Sequence, residues 1–196
     1  MPKVTQEYRD ARRDHIVSAA KRCFLRNGFQ ATTMQDLLAE SQLSSGAFYL
    51  YFASKDDVIL AIAQENVATV TSVIHELAIN PREQGLGGAL AAVVETVRNR
   101  DQQDELAALT VLVWAEALRI PHLRESIAEA VVSMRSDLTA VVADHQQAGS
   151  LPDTVSAAAL AGLLISIVPG TILQLAVFGD SAVEGIPDAA RAVWPT

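Results

Sequence analysis

The four histidines and the single cysteine are the side chains best suited to metal binding or nucleophilic catalysis, and none has a partner in the sequence. His15, His75, His122 and His145 are scattered without the spacing of metal ligands, and no glycine-rich loop would hold a phosphate group. Cys23 lies on an apolar stripe, as a core residue does, and cannot form a disulfide within the chain. The sequence therefore predicts no catalytic site, no metal site and no cofactor.

Basic residues give the first 55 positions a chemistry of their own. They hold eight Lys and Arg against five Asp and Glu, a net charge of +3, so the other 141 residues carry −11 of the total of −8. A basic segment binds phosphates, whereas an acidic one is repelled by them. This asymmetry predicts a head that contacts nucleic acid and a body that does not.

The composition limits the class of protein. Of 196 residues, 50% are hydrophobic, 5% aromatic and 19% charged, which excludes a disordered chain and argues against a strand-rich fold. The N-terminal stretch is charged and no apolar signal segment follows it. We therefore expect a cytoplasmic protein.

Helical periodicity runs through nearly the whole chain, which predicts an all-α fold of about nine helices. A first helix over 10–27 ends at Gly28. Thr33 with Asp36 forms a capping box for a second helix, Ser44 caps a third, and Ser54 with Asp57 opens a long helix to residue 79. After a loop at NPREQGLGG, further helices are expected over 87–100, 103–119, 122–148, 154–178 and 187–194.

Two short helices joined by a tight turn, between a basic helix and a long one, form the layout of a helix-turn-helix unit. The stretch GFQATTMQDLLAESQLSSGAFYLYFASKDDVI also resembles the DNA-binding domain of the TetR family of bacterial transcriptional regulators, without gaps from Thr32 to Lys55. The resemblance implies a three-helix DNA-binding domain over 1–54 and a helical ligand-binding and dimerisation domain over 55–196. It further implies a homodimeric repressor that binds a palindromic DNA operator and is released by a small-molecule effector.

The helix over 44–51 is the expected recognition helix. Base contacts are predicted for Ser44, Ser45 and Tyr49, beside Gly46, with apolar contact from Ala47 or Leu50 to thymine methyl groups. By the resemblance, Thr33, Tyr51 and Lys55 contact phosphates. Tyr49 and Tyr51 could instead pack between helices, and the pair Arg12 and Arg13 could be either a phosphate clamp or a solvated face.

Departures from the family pattern affect this reading. Gln42 stands where the turn usually has glycine, which predicts a strained or altered turn. Ser45 stands where lysine is common, so the helix is poor in long donors. Specificity is expected to depend partly on DNA shape.

A run without charge, residues 154–179, is long enough to cross a membrane. Acidic residues flank it and basic anchors are missing, which favours a buried subunit interface over a membrane span. We therefore predict a homodimer through the helices 122–148 and 154–178, disrupted by Ala161→Asp, and no membrane contact. Pro169 and Gly170 are expected to kink or unwind the second of these helices.

Polar residues on otherwise apolar stripes predict an effector pocket in the body. They are Asn66, Thr69, Thr110, Thr171 and Gln174, with Trp114 and Leu118 sharing a face with Thr110. Local backbone hydrogen bonds could equally account for any one of them. The expected effector is mainly apolar and uncharged or weakly polar. A DNA-binding regulator without an effector and a helical membrane-associated protein are the alternatives.

Overall fold

The computed structural model describes residues 5–79 and 85–194, and over these ranges the chain is all-α, as predicted, without a strand. Besides the α-helices, the described ranges contain a single 3-10 turn at Asp180–Ala182. The nine α-helices of the described ranges are α1 Gln6–Ala31, α2 Met34–Ser41, α3 Ser45–Tyr49, α4 Lys55–Ile79, α5 Gly85–Asp104, α6 Leu106–Ala117, α7 Pro121–Gln147, α8 Ala157–Phe178 and α9 Ile186–Val193.

Helix α1 begins earlier than predicted because Thr5 caps it. The Thr5 side chain accepts a hydrogen bond from the backbone N–H of Tyr8. Gly28 interrupts the helix with φ 76°, a conformation that glycine adopts without strain, and one further turn follows to Ala31. The predicted stripe of Ile16, Ala19, Ala20, Cys23 and Phe24 is buried, which confirms Cys23 as a core residue.

The turn between α2 and α3 has the geometry that the sequence suggested. Thr33 and Asp36 form the capping box of α2, and Ser44 caps α3. Gln42 between them adopts a left-handed conformation with φ 53° and ψ 28°, which costs a non-glycine residue some free energy. The turn is therefore built with a strained glutamine.

One apolar core joins the first three helices to later ones. It contains Phe24, Leu37 and Phe48, together with Ile59 of α4 and Leu109 of α6. The first two turns of α4 thus pack as part of the head. A domain division after residue 54, which stays a proposal, would cut through this core.

The body packs α7 against α4 and α8, and α9 against α5. The predicted loop NPREQGLGG is wrong in its second half, because Gly85 already belongs to α5, while 80–84 lie outside the described residues. Position 87 requires glycine because a Cβ there would collide with the carbonyl oxygens of Ala190 and Trp194. Close contact between α5 and α9 requires this glycine.

Helix α8 runs continuously through Pro169, so the predicted local unwinding is wrong. Among the described residues, α8 is also the single helix whose length and apolarity alone would suffice to cross a membrane. It packs against α6 and α7, as a core helix of a folded body does. One such helix is weak evidence for a membrane span.

Candidate nucleic-acid interface and effector cavity

Helix α3 presents its polar and aromatic side chains outward. Phe48 and Phe52 are buried and anchor the helix on the head. Tyr49 is 47% exposed and Leu50 83% exposed, so both are accessible to a partner. The packing alternative for Tyr49 is therefore disfavoured, although its base contact stays a prediction.

The other predicted DNA contacts differ in accessibility. Thr33, Ser44, Ser45 and Gly46 are exposed, whereas Ala47 and Tyr51 are partly buried. Tyr51 packs on the core of the head, as the alternative for that residue anticipated. Two hydroxyl groups serve as helix caps, since Thr33 Oγ1 accepts from the N–H of Asp36 and Ser44 Oγ from that of Ala47.

Lys55 is held by the end of α1. Its Nζ donates to the carbonyl oxygens of Phe29, at 2.6 Å, and of Thr32, at 2.9 Å. An ammonium group has three N–H donors, so one is left for another acceptor. The phosphate contact stays a prediction, but the structure adds a role in joining α1 to α4 that the sequence did not suggest.

A groove between α1 and α3 collects basic and aromatic side chains. Its walls include Tyr8, Arg9, Arg12 and Arg13, opposite Leu50. The Arg12 guanidinium lies 5.8 Å from the Tyr8 ring centroid, and that of Arg13 lies 5.6 Å from the Phe52 centroid. Tyr8 and Arg9 were missed, although their spacing of three and four residues from Arg12 and Arg13 places all four on one side of a helix.

Ion pairs divide the arginines of α1 into two groups. Arg22 and Arg26 pair with Glu40, with N–O distances of 2.8 and 3.1 Å. Hydrogen bonds from these two arginines lower the pKa of the Glu40 carboxyl group. In the described ranges, Arg9, Arg12 and Arg13 form no ion pair. The three arginines that are free to contact a polyanion therefore lie beside α3, in a groove that Asp10 also lines.

The body contains a cavity of about 250 Å³ between α4, α6, α7 and α8. Three of the seven predicted effector residues, Asn66, Thr110 and Trp114, line it. The rest of the wall is mostly aliphatic, from residues such as Val70, Val113, Met134, Ile165 and Ile172. An apolar cavity with a few polar groups is the usual form of a small-molecule site.

The other four predicted effector residues do not line this cavity. Leu118 is 81% exposed beyond the last turn of α6, and Gln174 is exposed on α8. Thr69 and Thr171 donate to the carbonyl oxygens of Glu65 and Ile167, four residues earlier. Polar residues on one apolar stripe face different neighbours because the stripe is wider than the cavity.

The sequence also missed the contribution of α7. Met134 and Arg135 line the cavity from this helix, and Ser166 lines it from α8. A periodicity pattern identifies the apolar face of a helix but does not say which other helix packs there. The sequence therefore provided no indication that Arg135, an exposed residue within α7, lines a pocket.

A chain of hydrogen bonds crosses the cavity wall. Thr110 Oγ1 donates to the carbonyl oxygen of Leu106 at 2.7 Å, and Asn66 Nδ2 donates to Thr110 Oγ1 at 2.9 Å. Asn66 is 5% exposed. These bonds fix Asn66 of α4 against α6.

Polar contacts also connect the head to the body. Lys21 Nζ of α1 lies 2.9 Å from Glu65 Oε1 of α4 and 3.6 Å from Asp104 Oδ2 of α5. Gln30 Nε2 donates to Glu116 Oε2 of α6 at 2.7 Å. Two of the four helices that line the cavity, α4 and α6, thus also contact the head through these polar groups.

No group of three or more metal-ligating side chains occurs within the described parts of the chain. Two of the histidines instead form hydrogen bonds with other residues of the fold. His15 Nε2 lies 2.8 Å from the carbonyl oxygen of Ser41, and His145 Nδ1 lies 2.9 Å from Ser150 Oγ. Both contacts are hydrogen bonds within the fold.

Two family models match the chain. Residues 16–62 match the bacterial regulatory proteins of the tetR family, and residues 88–193 match the C-terminal domain of BetI-type transcriptional repressors. The first match contains the helix-turn-helix unit and the start of α4. The second contains most of the body, including three of the four helices around the cavity.

Curated relatives are transcriptional regulators. The HTH-type transcriptional repressor Rv1474c of Mycobacterium tuberculosis is 29% identical over 177 residues, which cover 90% of this chain and 88% of the relative. The uncharacterised HTH-type regulator YfiR of Bacillus subtilis is 31% identical over 130 residues, 63% of this chain and 62% of its own length. The match to YfiR is therefore partial, and the match to Rv1474c nearly complete.

Solved structures of transcriptional regulators show the same fold. Salmonella enterica GusR has a TM-score of 0.76 at 26% identity, covering 99% of this chain and 100% of its own. A Bacillus subtilis FadR in complex with stearoyl-CoA has a TM-score of 0.71 at 16% identity, covering 93% and 97%. A regulator from Saccharomonospora viridis in complex with choline has a TM-score of 0.71 at 20% identity, covering 93% and 95%. With its helix-turn-helix head and its helical body both matched, this chain belongs to the TetR family of bacterial transcriptional repressors.

Proposed function

We propose that this protein is a cytoplasmic homodimeric repressor that binds a palindromic operator through the 44–51 helix and leaves it when a small molecule fills the body cavity. The observation that carries the proposal is the position of the cavity on α4. Asn66 lines the cavity, whereas Ile59, two turns earlier on the same helix, belongs to the core of the head. A ligand that moves α4 therefore moves the head.

Exposed apolar residues on α8 support the homodimer. Leu163 is 59% exposed, Leu173 49% and Val177 60%, and Val132 of α7 is 68% exposed. Large apolar residues exposed on two helices that pack together are typical of an interaction surface. Two copies joined through α7 and α8 would bury it, in agreement with the symmetric pairing common among oligomers.

The dimer sets the spacing of the two recognition helices. Half-sites of a palindrome are about 34 Å apart, one turn of the double helix, so the heads must match that distance. A ligand weakens DNA binding only if it prefers a body conformation in which the heads do not match. A coupling free energy of about 1–3 kcal/mol would weaken operator binding roughly 5- to 150-fold.

The experiment first recovers operators by selecting duplexes from a random pool with the full-length protein. The expected product is a palindrome with half-sites about one helical turn apart. Small apolar compounds are then screened by thermal shift, and those that bind are titrated against the protein–operator complex. Release of the operator supports the proposal, whereas a compound that binds and leaves operator affinity unchanged contradicts its ligand-release part.

Variants test the cavity itself. Trp114→Ala should abolish the thermal shift, and Asn66→Leu should reduce it for ligands that hydrogen-bond to the amide, because both side chains line the cavity. Gln174→Ala is the matched control, since Gln174 lies on α8 outside the cavity and is exposed. Equal loss of binding in all three variants would contradict the assignment of the site.

A further inference from the structure

We propose that the cavity binds a small amphipathic anion, with its acidic group at Arg135, its apolar part along the cavity and a hydrogen-bond donor that reaches Asn66. The inference rests on the proposed function, because it specifies the chemical class of the effector. It departs from the sequence-based expectation of an uncharged molecule. Arg135, which the sequence did not connect with the site, is the reason.

The hydrogen bonds of Thr110 determine how the Asn66 amide is oriented. Thr110 has one hydroxyl proton, and it is committed to the carbonyl oxygen of Leu106 at 2.7 Å. Towards Asn66 the hydroxyl can therefore only accept, so Nδ2 of Asn66 must face it at 2.9 Å. The amide oxygen is left facing away from Thr110.

The amide oxygen of Asn66 has no hydrogen-bond partner among the residues that the structure describes. This oxygen is not sealed in the core, and an acceptor that is open to a cavity is normally satisfied by a water molecule or by a polar group of a ligand. Since Asn66 lines the cavity, this oxygen selects a ligand that carries a hydroxyl or N–H group. The Asn66 amide oxygen is therefore the polar group at the inner end of the proposed site.

Arg135 supplies the opposite end. Its side chain lines the cavity from α7 and the residue is exposed, so it joins the cavity wall to the surface of the protomer. The guanidinium carbon lies 3.9 Å from the position that a Cβ at Gly162 would take, which places the group beside α8, one turn before Ser166 of the cavity wall. Within the described ranges it forms no ion pair. A planar guanidinium with free donors suits a carboxylate, a sulfonate or a phosphate.

The remainder of the wall argues against a cation. No aspartate or glutamate lines the cavity in the described part of the chain, so nothing would balance a positive ligand such as the choline bound by one structural neighbour. The volume of about 250 Å³ lies near the lower end of the range of small-molecule sites, about 300–1,000 Å³. That volume suits a short amphipathic anion.

Four matched probes test the proposal: octanoate, octanol, octylammonium and ω-hydroxyoctanoate. Binding is measured on the full-length Trp194→Phe protein without DNA, by the fluorescence of Trp114, which lines the cavity and is then the sole tryptophan. Octanoate should bind roughly three- to tenfold more tightly than octanol, as expected for a partly exposed ion pair, and octylammonium more weakly than either. ω-Hydroxyoctanoate should bind more tightly than octanoate.

Two variants assign these preferences to residues. Arg135→Gln should reduce octanoate binding to that of octanol, while Arg124→Gln, an exposed arginine on the same helix outside the cavity, should leave it unchanged. Asn66→Leu should remove the advantage of the hydroxyl group and keep the preference for the anion. These results would support the proposal.

Several results would overturn it. Octanol or octylammonium could bind as tightly as octanoate, Arg135→Gln could have no effect, or all four probes could fail to bind. Loss of the dimer in Arg135→Gln, measured by sedimentation, would assign the arginine to the subunit contact instead. A failure of the proposed function has a different signature: anions bind in an Arg135-dependent way, yet the operator is not released.

Discussion

The side-chain amide of Gln30 donates to the carboxylate of Glu116 at 2.7 Å, across 86 positions of sequence. Gln30 lies in the last turn of α1, in the head, and Glu116 in the last full turn of α6, in the body. Glu116 is 6% exposed, and the same carboxylate lies 3.8 Å from Arg119 Nη1. A side chain of the head thus satisfies part of a buried charge in the body.

Gln30→Ala tests this contact. Gln30 itself is exposed, so the substitution removes little packing and leaves a buried carboxylate without its closest donor. The free energy of unfolding in urea should fall by about 1–3 kcal/mol. Asn27→Ala, an exposed neighbour on α1, serves as the control and should stay within about 0.5 kcal/mol. Equal stability of the two variants would show that the contact contributes nothing.

Tyr49→Ala and Arg9→Ala should weaken DNA binding in different ways. Tyr49 is exposed on α3, so its loss should lower the preference for the operator over random duplex as well as the affinity. Arg9 lies in the basic groove, and its loss should weaken all duplexes similarly and reduce the salt slope by about one phosphate. Fluorescence anisotropy over a salt series measures both quantities, with Arg124→Ala as the control. Equal loss of operator preference in both variants would contradict the division between base and phosphate contacts.

Lys55→Met should lower both stability and DNA affinity. The two carbonyl oxygens that Lys55 holds, from Phe29 and Thr32, would lose a charged donor, at a cost of about 1–3 kcal/mol in the free energy of unfolding. The remaining N–H is the one predicted to contact a phosphate, so the salt slope of operator binding should fall by about one. Lys55→Arg should retain part of both effects. An unchanged free energy of unfolding would rule out the structural role, and an unchanged slope would rule out the phosphate contact.

The stability of the fold should fall in acid. A bidentate hydrogen bond from Arg98, at 2.7 and 2.6 Å, lowers the pKa of Asp180 below its ordinary 3.8. A lowered pKa in the folded state means that the stabilisation is fully present above the ordinary value and is lost as the pH falls through the lowered one. Asp180→Asn should therefore be less stable near neutral pH and lose less on acidification below about 4. A parallel decline in both proteins would contradict this assignment.

Local features of this protein could be predicted from sequence, whereas distant pairings could not. The capping boxes of Thr33 with Asp36 and Ser54 with Asp57 form within one helical turn, so the residue types and a spacing of three were sufficient. Asn66 and Thr110 were identified as polar positions, but their hydrogen bond depends on how α4 and α6 pack. Arg135 lines the cavity because α7 packs against both of these helices.

The subunit interface gives the last prediction, and the structure changes the variant that tests it. Ala161 is fully buried within its own protomer, so Ala161→Asp would disrupt the core rather than the dimer. Leu173 is 49% exposed on the apolar face of α8, and Leu173→Asp would place a charge in the proposed interface without entering the protomer core. Sedimentation should show a monomer with helical content unchanged by circular dichroism, and operator binding should fall sharply because two heads are needed. Ser72→Asp, at an exposed position on α4, should remain dimeric. A Leu173→Asp protein that is still a dimer, or an unsubstituted protein that is monomeric at micromolar concentration, would place the interface elsewhere or remove it.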